Sequence, residues 1–468
     1  MSILLAGLMP HPPVMVPEVG REDAGKAAKS QAAALALGEM VRQAGPDTLI
    51  MITPHGPVFQ DVMTMATQER LAGDLGQFGA PEVRVIWPNN LGLAREIARE
   101  AQAAGIPLLE MDSREANYYG VEPGLDHGLV VPQYFLKKAG VKSKLVAITI
   151  GLLPYETLYA FGRVIQRAVD QTGTQAVVIA SGDLSHRLKP GAPAGYSPQG
   201  RVFDEKVVNL LDQADVQGLF SLEPSLIGEA GECGFRPLLI LMGTLDGLRV
   251  KGDVLSYEGP FGVGYAVAAW RPTGRDGERQ FLRSLEEGRR KKMKELRQRE
   301  SPLVRLARQA LEEYIKTGRT QHPPTELTPE MRERAGAFVT IHKNGQLRGC
   351  IGTTGPTRGN LAEEIIHNAI SSGTADPRFP AVTPDELEDL TYSVDVLSEP
   401  EPVSRPEELD PQEYGVIVRK GNRTGLLLPH LQGVDTVEEQ LAIAKSKAGL
   451  GAKENGIRLF RFRVRRFE

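Results

Sequence analysis

Cysteine is nearly missing from this chain of 468 residues, which has only Cys233 and Cys350. So sparse a supply excludes a disulfide framework and fits a reducing cytoplasm. No apolar run approaches the ~18 residues that a membrane span needs. The start Met1-Ser2-Ile3-Leu4-Leu5 has no basic segment and no cleavage-like site, so it does not read as a signal peptide. A large excess of charge of either sign is also absent: the net charge is -4, which gives no electrostatic reason for a nucleic-acid partner. Histidine is scarce as well, with 8 in the chain. His11, His55, His127 and His186 are those of the first 270 residues, and each stands in or beside a strand-like or Pro/Gly-punctuated stretch.

What is present is a rhythm of apolar strands separated by helical stretches. Ile3 to Leu8 runs into Met9-Pro10-His11-Pro12-Pro13, and Thr48 to Thr53 runs into Pro54-His55-Gly56-Pro57. A short apolar run closed by proline reads as a buried strand that stops abruptly, so two histidines are expected at strand ends, where open α/β sheets keep their ligands. The run Ala176 to Ala180 ends similarly in Ser181-Gly182-Asp183-Leu184-Ser185-His186. Helices are expected from Glu22 to Gln43, Leu91 to Ala104, Val131 to Lys138, Tyr155 to Val169 and Leu238 to Leu245. Strands are expected at Val83 to Pro88, Ile106 to Leu109 and Lys144 to Ile150, and Asp253 to Tyr257 with Gly262 to Trp270 as a closing pair. Continuous apolar strands alternating with helices predict an α/β fold, a mixed or mostly parallel sheet covered by helices on both faces.

The order Pro-His-Pro, Pro-His-Gly, Asp126-His127-Gly128, Ser-Gly-Asp-Leu-Ser-His and a glutamate before a helix resembles the class III extradiol ring-cleavage dioxygenases of the LigB type, and the related Memo proteins, over residues 1–272. That resemblance implies non-haem Fe(II), a small aromatic substrate and O2. It implies His11, His55 and Glu232 as metal ligands, His186 as the catalytic acid/base, and His127 in the substrate pocket. Two imidazoles and a carboxylate on one face of iron leave the opposite face open. The segment Gly228-Glu229-Ala230-Gly231-Glu232-Cys233-Gly234 also offers Glu229 and Cys233 as alternatives. Memo relatives have Cys-Gly at the corresponding place. A Cys233 ligand implies a softer site, suited to copper or zinc or to a non-catalytic iron, and hence a metal-binding module rather than an oxygenase.

Residues 273–300 are rich in charge, including Arg289-Arg290-Lys291-Lys292, and read as a charged linker, with a basic docking patch as the alternative. From 301 to 468 a smaller α+β domain is expected. It starts with a helix from Pro302 to Thr317, followed by strands Ala337 to Ile341 and Leu347 to Thr353 joined at Lys343-Asn344-Gly345. The motif Leu347-Arg348-Gly349-Cys350-Ile351-Gly352 resembles the AmmeMemoRadiSam system (Amme) family, which implies a candidate site at Arg348 and Cys350 and a radical-SAM protein as a partner. A charge next to Cys350 would favour its thiolate.

Overall fold

The computed structural model describes residues 2–121, 124–343, 346–430, 434–451, 454 and 456–468. The chain divides into two compact units, Met1–Glu287 and Gly288–Glu468. The boundary falls inside the helix Phe281–Arg299, which occupies most of the segment expected as a linker. Its first turns carry Phe281, Leu282 and Leu285 against the core of the first unit.

The first unit is built on an eight-stranded mixed sheet. Its strands are β1 (Ile3–Met9), β2 (Thr48–Thr53), β3 (Met63–Ala66), β6 (Leu108–Met111), β7 (Lys144–Thr149), β8 (Ala176–Ser181), β9 (Leu248–Glu258) and β10 (Tyr265–Arg275), in the order β6-β3-β7-β2-β8-β1-β10-β9. Between β3 and β6 in sequence, β4 (Arg70–Leu75) and β5 (Ala80–Pro88) form a separate antiparallel pair. The central strands β7, β2, β8 and β1 are parallel, and β10 and β9 close one edge antiparallel, as the continuous apolar runs lead one to expect. Their side chains are buried on both faces, so two apolar cores form. One is centred on Ile50, Val146, Val178 and the helices Tyr155–Thr172 and Phe235–Thr244; the other on Leu5, Met51, Val177 and the helices Ala28–Ala44 and His127–Lys138.

Register places the site. In the parallel ladders Met9 stands beside Ser181, and Ile52 beside Ala180, so β1, β8 and β2 end at one edge of the sheet. Inserting β8 between β1 and β2 makes this edge a place where loops diverge, and the loops carrying His11, His55 and Asp183 to His186 all leave from it. Two expectations shift. Residues 21–27 form a 3-10 turn before the helix Ala28–Ala44 begins, and His127 is the first residue of a helix rather than part of a loop.

The second unit contains two four-stranded sheets. One has the order β12-β11-β13-β18, from β11 (Ala337–Lys343), β12 (Gln346–Gly352), β13 (Leu390–Leu397) and β18 (Val464–Phe467). The other has the order β14-β17-β15-β16, from β14 (Glu401–Val403), β15 (Gly415–Lys420), β16 (Arg423–Leu427) and β17 (Arg458–Phe462). Helices Pro302–Thr317 and Leu361–Thr374 pack on the first sheet through Leu306, Leu311, Ile365 and Val339. The hairpin β11/β12 forms as expected, but Asn344 and Gly345 of its turn lie outside the described residues.

Candidate metal centre

His11, His55, His127, His186, Asp183 and Cys233 gather at the shared strand edge. The Nε2 of His11 lies 2.9 Å from His55 Nε2, 3.6 Å from Cys233 Sγ and 3.7 Å from a carboxylate oxygen of Asp183. Cys233 Sγ lies 3.5 Å from His186 Nε2. The His127 ring stands 4.4 Å from that of His55, centroid to centroid, and 5.5 Å from that of His11. Two sets of ligand atoms, His11/His55/Cys233 and Asp183/His186/Cys233, each fall within 4.8 Å of one another.

The backbone brings these groups together through close approach. A Cβ on Gly182 would sit 2.3 Å from the Gly234 Cα, so the loop after β8 touches the loop at Cys233 only because both positions are glycine. The Gly234 N–H then donates to the Asp183 carbonyl at 2.8 Å. These contacts account for the Ser-Gly-Asp and Cys-Gly pairs in the sequence.

The ring of His11 is held in one tautomer. Its Nδ1 lies 2.9 Å from Ser181 Oγ, and that hydroxyl donates to the Gly128 carbonyl. The usual helical donor to Gly128 would be the N–H of residue 132, which Pro132 lacks. The hydroxyl proton is therefore committed to Gly128, Ser181 accepts from His11 Nδ1–H, and the Nε2 lone pair faces the cluster. For His55, the Thr53 hydroxyl receives the His55 N–H at 3.1 Å and donates to Asp126 at 2.9 Å.

Electrostatically the cluster suits a cation. Burial, helped by the neighbouring imidazoles, holds His11 well below the usual histidine range. Burial also lowers His55 and His186, and takes His127 down to about 4. Burial pushes the Asp183 carboxyl up to about 7 and the Cys233 thiol well above its ordinary value. No lysine or arginine is among the groups that set these shifts. The imidazoles thus stay neutral with lone pairs available, and the two acids resist charging for want of a positive partner. The nitrogen–sulfur distances suit one ion as well, since nitrogen bound at about 2.1 Å and sulfur at about 2.3 Å at tetrahedral angles stand roughly 3.5 Å apart, whereas the 2.9 Å between the two Nε2 atoms of His11 and His55 matches nitrogens held at about 90°.

The glutamates expected as ligands face elsewhere. Glu232 is half-buried, and its carboxylate accepts from the Phe235 N–H at 2.6 Å at the start of the helix Phe235–Thr244; desolvation pushes it up to about 7 against the pull of that N–H and of Arg236. Glu229 is exposed and takes a hydrogen bond from Ser197 at 3.1 Å. Neither belongs to the two ligand sets found among the described residues. Spacing alone could not separate Glu232 from Cys233, since neighbours in a loop point apart. Nor does spacing single out Ser181, or give Asp183 more than a part in orienting His186, although both stand in the motif that ends β8.

In the second unit Arg348 does not serve Cys350. Its guanidinium forms a two-pronged pair with Glu386, at 3.0 and 2.9 Å, and donates to the Pro380 carbonyl. Arg378 bonds the Cys350 carbonyl at 3.3 Å and pairs with Asp376, and Arg466 is also within electrostatic reach of Cys350. The Cys350 thiol itself lies 3.3 Å from Thr340 Oγ1.

Comparison with known proteins agrees with this division. The family model described as the catalytic LigB subunit of aromatic ring-opening dioxygenase matches residues 5–268, and the AMMECR1 model matches 304–467. Protein CA_C1420 of Clostridium acetobutylicum is 44% identical over 450 residues, covering 96% of each chain. A Thermotoga maritima protein is 54% identical over 171 residues, 36% of this chain and 98% of its own. The crystal structure of the uncharacterised protein PH0010 from Pyrococcus horikoshii is 38% identical, covering 35% of this chain and 88% of its own, with a TM-score of 0.34. Among the described residues no helix is long and apolar enough to cross a membrane. A first unit matched along nearly its whole length by the ring-opening model, followed by a second matched by AMMECR1, shows that the chain belongs to the LigB family and carries an AMMECR1 domain fused behind it.

Proposed function

We propose that the first unit is a metal-binding module of the Memo-like kind, holding a low-valent first-row ion, Fe(II) or Cu(I), through His11, His55 and Cys233, in the reducing cytoplasm. The observation that carries this reading is the position of Cys233 Sγ, 3.6 Å from the lone-pair nitrogen of His11, while Glu232 is turned to its own helix. A thiolate in place of a carboxylate makes the donor set softer and favours copper or iron in their reduced states. Such an ion, when bound, supplies a redox-active Lewis acid. The residues around it do the positioning: Ser181 fixes the His11 tautomer, Thr53 and Asp126 hold the His55 loop, and His127 walls the site.

A second reading, Fe(II)-dependent extradiol cleavage of a catechol-like substrate with O2, draws its support from Asp183. That carboxylate lies 3.7 Å from His11 Nε2 and would complete a two-histidine, one-carboxylate set in place of Glu232, with His186 as acid/base. The deciding experiment is anaerobic loading with Fe(II) or Cu(I), followed by O2 uptake over a panel of catechols. The metal-module reading expects stoichiometric metal whose affinity falls by at least about 100-fold in His11→Ala or Cys233→Ser, and no uptake that depends on catechol. Catechol-dependent uptake lost in Asp183→Asn but kept in Cys233→Ser would establish the second reading. For the AMMECR1 domain we propose a docking role beside a radical-SAM protein, tested by copurification of such a partner with the full chain.

A further inference from the structure

Cys233 has ligand-length neighbours in two directions. Its sulfur stands 3.6 Å from His11 Nε2 and 3.5 Å from His186 Nε2, and both distances match the edge between a nitrogen and a sulfur bound to the same ion. His11 and His55 belong to one set of converging donors and His186 and Asp183 to the other, with the thiol common to both. Asp183 also reaches toward both, since one carboxylate oxygen accepts the His11 N–H at 3.1 Å and the other lies 3.7 Å from His11 Nε2.

From this sharing we infer a second metal seat, made by Asp183, His186 and Cys233, with the Cys233 thiolate bridging it to the ion on His11 and His55. The inference rests on the thiolate reading of the first seat and extends it. The mixed donors, one oxygen, one nitrogen and one sulfur, suit a divalent first-row ion such as Zn(II) or Fe(II). A sulfur bound at about 2.3 Å to each of two ions keeps them no more than roughly 4.6 Å apart, which includes the ~3.5–4 Å separations of two-metal sites. Thiolate and carboxylate together cancel two of the four positive charges that two divalent ions bring, so the filled centre is cationic and would attract an anionic ligand or hydroxide. His186 is then a ligand rather than a free proton shuttle.

The test uses the full chain, reduced and anaerobic, in equilibrium dialysis against Zn(II), with bound metal counted by mass spectrometry and the metal–metal distance read by X-ray absorption. The native chain is expected to take up two Zn(II) with a metal–metal vector below about 4.6 Å. His186→Ala and Asp183→Asn are each expected to lose one Zn(II) and that vector while the remaining ion binds within a few-fold of native affinity, which itself shows that the variants fold. Cys233→Ser is expected to weaken both seats. A native chain that saturates at one Zn(II) which His186→Ala retains, or a His186→Ala chain that still shows the short vector, overturns the second seat and leaves the first standing. Native chain that binds no Zn(II), Fe(II) or Cu(I) overturns both.

Discussion

Ser181→Ala should weaken metal binding without removing a ligand. In the native chain the Ser181 hydroxyl has one proton, which it gives to the Gly128 carbonyl because Pro132 supplies no N–H there. Its lone pair, 2.9 Å from His11 Nδ1, then keeps the proton of His11 on the nitrogen away from the cluster. Alanine removes both interactions. His11 becomes free to place its proton on Nε2, which blocks the lone pair, and the Gly128 carbonyl is left buried without a donor. Loss of such an outer partner of a metal-ligating histidine typically costs 10–100-fold in affinity, about 1.4–2.7 kcal/mol at 1.36 kcal/mol per tenfold change. The orphaned carbonyl separately costs about 1–3 kcal/mol of folding stability, which appears as a lower Tm of the metal-free chain. Competition titration with a chromophoric chelator measures the first effect, and nitrogen NMR of the imidazoles reports the tautomer directly. A Ser181→Ala chain that keeps native affinity to within about twofold, with His11 still protonated on Nδ1, would refute this role for the hydroxyl.

Three further outcomes follow from particular contacts. Cys233→Ser should cost at least about 100-fold in Fe(II) or Cu(I) affinity, whereas Glu232→Gln should change it less than about threefold and mainly soften the start of the helix Phe235–Thr244; the opposite ranking in the same titration would make Glu232 the ligand. Gly162→Ala should destabilise the first unit by about 2–3 kcal/mol in urea melts and displace Cys233, because the new methyl would sit 2.1 Å from the Ile240 carbonyl of the helix that starts just after Gly234. Burial alone would raise the Glu386 carboxyl, but the bonds from Arg348, the Thr383 N–H and Lys343 outweigh it and hold it at about 2, against 4.5 when free. Its contribution, about 2–3 kcal/mol after solvent screening reduces the full shift, is thus full above pH 4.5 and lost as pH falls toward 2, so urea melts of the second unit at pH 6 and pH 3 should differ less in Glu386→Gln than in the native chain.

Much of the scaffold is legible in the sequence because buried parallel strands announce themselves as continuous apolar runs. Lys144 to Thr149 and Ala176 to Ser181 are readable to within a residue or so, and proline or glycine directly after β1 and β2 marks where His11 and His55 leave the sheet. The interior of the site is less legible. Whether Glu232 or Cys233 turns inward depends on one residue's direction in a loop, and that direction is set by the contact between Gly182 and Gly234, which are far apart in sequence. The pairing of Arg348 with Glu386 instead of Cys350 has the same origin: a distant carboxylate, invisible to local spacing, satisfies the guanidinium with two hydrogen bonds. The role of Ser181 follows from Pro132, a helix-interior proline whose missing N–H has meaning only once the helix His127–Lys138 packs beside the end of β8.

The central claim is that a thiolate binds the metal of the first seat. Anaerobic Co(II) substitution tests it through the intense sulfur-to-cobalt charge-transfer absorption that only a bound thiolate gives. The native chain should show that band at the first equivalent of Co(II), and it should vanish in Cys233→Ser while persisting in Glu232→Gln and Cys350→Ser. A stoichiometric Co(II) protein without the band, or one that keeps it when Cys233 is replaced, would contradict the assignment of Cys233 as a ligand.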